Sequence, residues 1–253
     1  MTRKTAAILA IGDELLSGRT RDSNIGYLAA WLTERAIALK EARIVADDEA
    51  AIVEALNALR ASHDYVFTSG GIGPTHDDIT YAAVAKAFGR EVIEHPQAFA
   101  MIRAWYEARG EEATPARRRM ALMPEGAELI LNPVTGAPGV KIGNVFVMAG
   151  VPGIFKGMLT AVETVLERGV QIHSRAVTAL RLPESRLADQ LLAIQTALNG
   201  VSIGSYPIDG DEKGVTIVAR SENPSLAEAA IASVTAAMRA LGADPIEGER
   251  PGR

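Results

Sequence analysis

Residues 68–80 read Thr-Ser-Gly-Gly-Ile-Gly-Pro-Thr-His-Asp-Asp-Ile-Thr. An apolar run, Tyr65-Val66-Phe67, precedes them, and an amphipathic pattern from Tyr81 to Phe88 follows. That order describes a strand, a glycine-rich turn and the start of a helix. Gly70, Gly71 and Gly73 let the chain turn tightly and let a ligand come close, because no Cβ stands in the way. Successive N–H groups in such a turn can form a concave anion site, reinforced by the orphan amides of the next helix. Asp77 and Asp78 come at once after it. Amides that attract phosphate beside carboxylates that repel it imply a divalent cation between them, and Mg²⁺ is usually held by one or two carboxylates plus substrate phosphate. The plainer reading is a structural connection in which Asp77 or Asp78 caps the helix. No Lys-Ser or Lys-Thr pair closes the turn as in a Walker loop, and the glycine spacing is not the dinucleotide fingerprint.

Upstream, Thr5 to Ile11 is a continuous apolar run, as in a strand buried on both faces. It ends in a second glycine-acid turn, Gly12-Asp13-Glu14-Leu15-Leu16-Ser17-Gly18. Asp22-Ser23-Asn24 offers capping residues ahead of Ile25, Leu28, Ala29 and Leu32 at helical spacing. Leu39 to Val45 reads as a strand, and Asp47-Asp48-Glu49 opens a helix carrying Ile52, Val53, Leu56 and Leu59. Strands alternating with helices predict an α/β fold, three-layer α/β/α around a mainly parallel sheet. In open sheets of this kind ligands bind at the carboxyl ends of the strands. Asp13, Asp47, Asp48, Asp77 and Asp78 all fall there, either converging on one site or capping three separate helices.

Downstream, residues 91–120 read as a helical, more polar insertion over the sheet edge, with Pro96 and Pro115 near helix starts. Residues 129–132 read as a short strand, 132–139 as a loop, and 144–149 as another strand. Gly150-Val151-Pro152-Gly153 is a turn opening a helix over 154–167, and is placed either to line a pocket or simply to start that helix. From residue 171 the pattern changes to strand, helix, strand, strand, helix, which describes a small α+β, ferredoxin-like domain. Its Asp209-Gly210-Asp211 reads as a hairpin turn, and the tail from Asp244 as frayed. The expected domains are therefore 1–170 and 171–253.

Composition narrows the function classes. Hydrophobic residues make up 48% of the 253 and aromatics 5%, so the core is aliphatic and alanine-packed. The net charge of −5, with scattered Lys and Arg, argues against a nucleic-acid partner. The run Arg117-Arg118-Arg119 is the exception, readable as cations late in a helix or as a phosphate contact. There is no Cys, and no His-x-x-x-His pair among His63, His76, His95 and His173. No apolar run is long enough to span a membrane, and the expectation is a cytoplasmic protein without membrane association.

These segments resemble a known family. GDELLSG at 12–18, Asp22-Ser23-Asn24, VADDEAAI at 45–52 and TSGGIGPTHDDIT look like the molybdopterin-binding MoaB/Mog-type fold, most nearly the amino-terminal domain of competence/damage-inducible protein A (CinA). PEGAELILNP, TGAPG and MAGVPGIF extend the likeness over about residues 5 to 168, and VSIGSYP resembles the small domain of short CinA-like proteins. The chain is too short to carry also the carboxy-terminal amidase domain of longer relatives, so that activity is not expected.

The resemblance implies Mg²⁺ or another divalent metal, with a small-molecule pterin (molybdopterin) or nucleotide as ligand, and a homo-oligomer. By motif matching, the two acids of Mog-type relatives fall on Asp47 and Asp78. The double acid Asp77-Asp78 is CinA-like and favours hydrolysis of a nucleotide diphosphate such as ADP-ribose or FAD. The implied site has Asp47 and Asp78 as catalytic residues and Asp13, Asp47, Asp77 and Asp78 as metal ligands. Gly12, Gly70, Gly71, Gly73, Thr75 and Thr80 would meet the ligand or its phosphate. The alternative is a non-catalytic molybdopterin- or nucleotide-binding protein linked to molybdenum-cofactor biosynthesis.

Overall fold

A computed structural model describes residues 3–209 and 213–249. The chain divides into two compact units, Met1–Gly169 and Val170–Arg253.

The first unit is built on β1 (Thr5–Ile11), in which Ala6 to Ala10 are fully buried. Successive strand residues point to opposite faces, so this strand is covered on both sides, and its small Ala side chains let the covering layers come close. The short helix α1 (Asp13–Leu16) follows, where a turn is expected, and then α2 (Asn24–Thr33), β2 (Ala38–Val45), α3 (Glu49–Ser62), β3 (Tyr65–Ser69) and α4 (Thr80–Phe88). Next come β4 (Val92–Glu94), α5 (Pro96–Glu107), α6 (Pro115–Arg119) and β5 (Leu122–Pro124), then β6 (Glu128–Ile130), β7 (Gly139–Ile142), β8 (Val145–Met148) and α7 (Pro152–Val162). The sheet order is β2-β1-β3-β8-β7-β6, with β2, β1, β3 and β8 parallel and β7 antiparallel to both β8 and β6. The chain leaves β1 to one side for β2 and returns on its other side for β3, which makes a switch point between β1 and β3. In the core, Phe67 of β3 stacks on Phe146 of β8 with ring centroids 5.1 Å apart.

Three details differ from the sequence reading. The insertion is not wholly helical: β4 and β5 pair as an antiparallel ribbon that brackets α5 and α6. Between the expected loop at 132–139 and the strand at 144–149 lies a further strand, β7, which pairs with both β6 and β8. Neither Asp77 nor Asp78 caps α4, whose capping position is Ile79 with no side-chain bond.

The second unit contains β9 (His173–Leu180), α8 (Ala188–Ala197), β10 (Val201–Ile208), β11 (Gly214–Ser221), α9 (Pro224–Ala240) and β12 (Ile246–Glu247). Its antiparallel sheet has the order β10-β11-β9-β12, with Val177, Ala179, Val215, Ile217, Val234 and Met238 in its core. Part of the tail expected to fray is thus the edge strand β12, paired with β9. Of the turn at 209–211, Gly210 and Asp211 lie outside the described residues. Among the described residues no helix is long and apolar enough to cross a membrane.

Candidate functional site

The carboxyl ends of β1, β3 and β8 are drawn together by backbone. Gly70 donates its N–H to the Met148 carbonyl at 3.1 Å, and Gly12 to the Val45 carbonyl at 3.1 Å. A Cβ on Gly70 would stand 2.1 Å from the Ile11 carbonyl oxygen, at a φ of +118° that L side chains rarely adopt. Only glycine fits there, because two strand ends touch. Gly71 has φ +66°, and its Cβ would meet the Thr80 hydroxyl at 2.2 Å. The glycines of this turn are required by protein against protein, before any ligand arrives.

Asp78 shapes the rest of the turn. Its Oδ1 accepts the Gly73 N–H at 2.6 Å, and its Oδ2 accepts the Thr75 N–H at 2.7 Å together with the Thr75 hydroxyl. An ionised carboxylate has about four lone-pair sites, so three donors leave little room for a further partner. This revises the expected phosphate cradle. The amides of Gly70 and Gly73 are committed within the protein, which leaves the Gly71 and Ile72 N–H groups without a partner among the described residues. Thr75 spends its hydroxyl proton on Asp78. Thr80 is fully buried, with its hydroxyl donated to the Gly70 carbonyl at 3.0 Å, so it does not face a ligand.

The acids gather on the same edge, though not as a cage. Asp48 caps α3 by accepting the Ala51 N–H at 2.8 Å. Asp47 is half-buried and accepts the Asp13 N–H at 3.0 Å. Burial pushes the Asp47 carboxyl up from its ordinary value; the Asp13 N–H opposes this, and the charges of Asp13, Glu14 and Asp77 add to the rise. Asp77 is exposed. Among the described residues no Lys or Arg forms a salt bridge with Asp13, Glu14, Asp47, Asp77 or Asp78. Nor do three His, Asp or Glu side chains there stand close enough to hold a metal between them. The expected set Asp13, Asp47, Asp77 and Asp78 is therefore not a preformed metal cage. Uncompensated negative charge around Asp47 fits a cation that takes one or two carboxylates from the protein and completes its shell from a phosphate.

Beside this edge lies a cavity of about 540 Å³, within the usual size range of small-molecule sites. The glycine turn at 70–74, Asp78 and Glu14 line it, and the side chains of Ile72, Tyr106, Met120, Ile154 and Met158 give it apolar walls. Gly150, Val151 and Pro152 line it too, which assigns the last glycine turn to the pocket. Tyr106 and Met120 belong to the insertion, so that segment does reach the sheet edge.

Two asparagines absent from the sequence-based set organise the cavity. Asn24 is 3% exposed and donates from Nδ2 to Ser69 Oγ at 2.8 Å and to the Gly150 carbonyl at 2.7 Å, tying the β3 and β8 ends to α2. Asn132 donates to Thr135 Oγ1 and the Ala137 carbonyl and accepts from Val134 and Thr135 N–H, fixing the loop that lines one wall. Asn24 falls inside an apparent capping cluster, where Asp22 is the residue that accepts the Ile25 N–H at 2.8 Å. No sequence pattern marks it as buried.

Residues 7–171 match the family described as "Probable molybdopterin binding domain", and residues 171–244 match "FAD synthase, middle domain". A protein from Pyrobaculum calidifontis is 36% identical over 242 residues, covering 90% of this chain and 91% of its own. A CinA-like protein from Desulfosudis oleivorans is 34% identical over 210 residues, 79% of this chain but 51% of that protein, so the match spans about half of the latter. The crystal structure of the protein CinA, of unknown function, from Thermoplasma acidophilum is 34% identical. It superposes with a TM-score of 0.59 over 64% of this chain and 97% of its own.

Proposed function

The chain belongs to the CinA-like family with a MoaB/Mog-type molybdopterin-binding domain, and from that premise we propose that it binds a nucleotide diphosphate with a divalent metal and hydrolyses the diphosphate linkage. ADP-ribose and FAD are the substrate types. The observation that carries this reading is an apolar-walled cavity with Glu14 and Asp78 in its lining, beside the strand edge where the charges of Asp13, Glu14 and Asp77 act on Asp47. The apolar walls suit a flat heterocycle, and the acidic edge suits a metal shared with phosphate. The match of residues 171–244 to a FAD synthase domain is consistent with a nucleotide ligand.

In this scheme Asp47 is the residue for the cation, with Asp13 and Asp77 supplying charge around it. Asp78 holds the 73–75 turn in shape, with at most one lone-pair site left for the metal. The Gly71 and Ile72 N–H groups are turn amides left to meet a phosphoryl oxygen. When bound, the metal supplies Lewis-acid polarisation of the phosphoryl group and lowers the pKa of water.

The test is AMP release from ADP-ribose and FAD with Mg²⁺, Mn²⁺ or Co²⁺. Release that stops with EDTA and in Asp47→Asn supports the reading. Asp47→Asn is preferred to Asp78→Ala because Asn keeps an acceptor for the Asp13 N–H, whereas loss of Asp78 also unpins the turn. Release that persists in Asp47→Asn would move the chemistry elsewhere.

A second reading is a pterin-binding protein without catalysis. The observation that favours it is that no three metal-ligating side chains come together among the described residues. Saturable pterin binding with no product from either nucleotide would select it.

A further inference from the structure

The three consecutive arginines of α6 are not equivalent. Arg117 pairs with Glu111, donates to the Glu112 carbonyl at 2.7 Å and lies over the Tyr106 ring, 3.6 Å from its centroid. Arg118 pairs with Glu94 through two nitrogens and lies over Phe99. Arg119 has no carboxylate partner among the described residues. Its one protein hydrogen bond there runs from Nη2 to the Pro74 carbonyl at 2.6 Å. Pro74 lines the cavity, and so does Met120, the next residue in the chain. An exposed guanidinium is thus anchored to the rim of the pocket by one nitrogen, with its other N–H donors uncommitted.

That placement matters because the cavity's lining at the glycine turn is short of positive character. The Gly70 and Gly73 amides are bonded within the protein, Thr75 and Thr80 have spent their protons, and Glu14 and Asp78 are acidic. A ligand with two phosphates needs its charge met by more than one shared cation. A guanidinium offers five N–H donors in a planar fork that matches phosphate oxygens, and its charge does not titrate away.

We propose that Arg119 is a phosphate-binding residue of this cavity, recognising one phosphoryl group of a diphosphate ligand while its bond to Pro74 holds it against the glycine turn. The inference rests on the proposed phosphate-bearing ligand and narrows it: the diphosphate is read by a fixed arginine as well as by a metal. Arg117 and Arg118, each neutralised by an acid, have no part in it.

The test is calorimetric binding of inorganic pyrophosphate, ADP-ribose and adenosine to the wild type and to Arg119→Gln and Arg119→Lys. Gln keeps a polar amide but removes the charge, and circular dichroism checks that each variant is folded. The expected result is a loss of about tenfold or more for pyrophosphate and ADP-ribose in Arg119→Gln, with adenosine unchanged and a partial loss in Arg119→Lys. Raising salt from about 50 to about 300 mM should weaken the wild type more than Arg119→Gln. Wild-type affinity for pyrophosphate in Arg119→Gln, an equal loss for adenosine, or no phosphate binding by the wild type would each overturn the proposal. Its fate is separable from that of the hydrolase. Arg119-dependent pyrophosphate binding without AMP release leaves this site standing and removes hydrolysis. AMP release with an unchanged KM in Arg119→Gln does the reverse.

Discussion

Asn24 provides the sharpest check on how the strand ends are held. Asn24→Ala removes two donated hydrogen bonds, each contributing about 1 kcal/mol net. The buried Oδ1 that goes with them has no partner, so part of that loss is offset. The expected destabilisation is about 1–2 kcal/mol. Asn24→Asp has nearly the same shape but puts a carboxylate oxygen where Nδ2 faced the Gly150 carbonyl, leaving a buried charge without a cation. That should cost about 3–5 kcal/mol, more than truncation. Its cost should also shrink as the pH falls, because a protonated carboxyl regains a donor. Urea unfolding followed by the fluorescence of Trp31, buried on the same helix, and by far-UV circular dichroism measures both variants. An aspartate variant as stable as the alanine variant, or one insensitive to pH, would refute the assignment of Asn24 as the tie between β3 and β8.

Other consequences follow from the same geometry. Gly70→Ala puts a Cβ 2.1 Å from the Ile11 carbonyl at positive φ, and should lose about 2–5 kcal/mol in urea unfolding; near-wild-type stability would contradict the touching strand ends. Asn132→Ala frees the 132–137 loop, and should weaken ligand binding about tenfold or more by calorimetry while unfolding shifts by about 2 kcal/mol. The Thr5 N–H, more than any other contact, holds the Asp64 carboxyl below its ordinary value of 3.8, against some burial. A depressed carboxylate stabilises the fold above the unfolded pKa and stops doing so as the pH falls through its folded pKa. The wild type's advantage over Asp64→Asn should accordingly be steady at neutral pH and fade below 3.8; an advantage that grew on acidification would overturn it.

The strands and turns that carry the site were legible because their signals are local. Residues 5–11 are apolar without alternation, as a strand buried on both faces must be, and each strand of the parallel set ends in glycine or acid. The polarity of the 139–142 segment hid β7, since Gly139 and Lys141 alternate with Val140 and Ile142 in a stretch rich in turn residues. The two residues of β12 are too few to show any period and become a strand only by pairing with β9. The same limit applied to the site. Sequence placed acids and glycines at one edge, but which amides were free depended on contacts across the fold, such as Gly70 with Met148 and Thr80 with Gly70. Asn24 and Arg119 are likewise defined by partners far along the chain, Gly150 and Pro74, whereas Asn132 is held by its own loop, at Val134, Thr135 and Ala137.

Under the proposed function the acidic edge and the cavity act as one site, with the cation shared between Asp47 and a diphosphate. Electron paramagnetic resonance of Mn²⁺ tests it most directly, because free and bound Mn²⁺ are counted separately. Mn²⁺ should bind the wild type weakly alone, and about tenfold or more tightly with ADP-ribose present, and Asp47→Asn should abolish that gain. Mn²⁺ binding that is unaffected by ADP-ribose, or a gain that survives in Asp47→Asn, would contradict a shared metal at this edge.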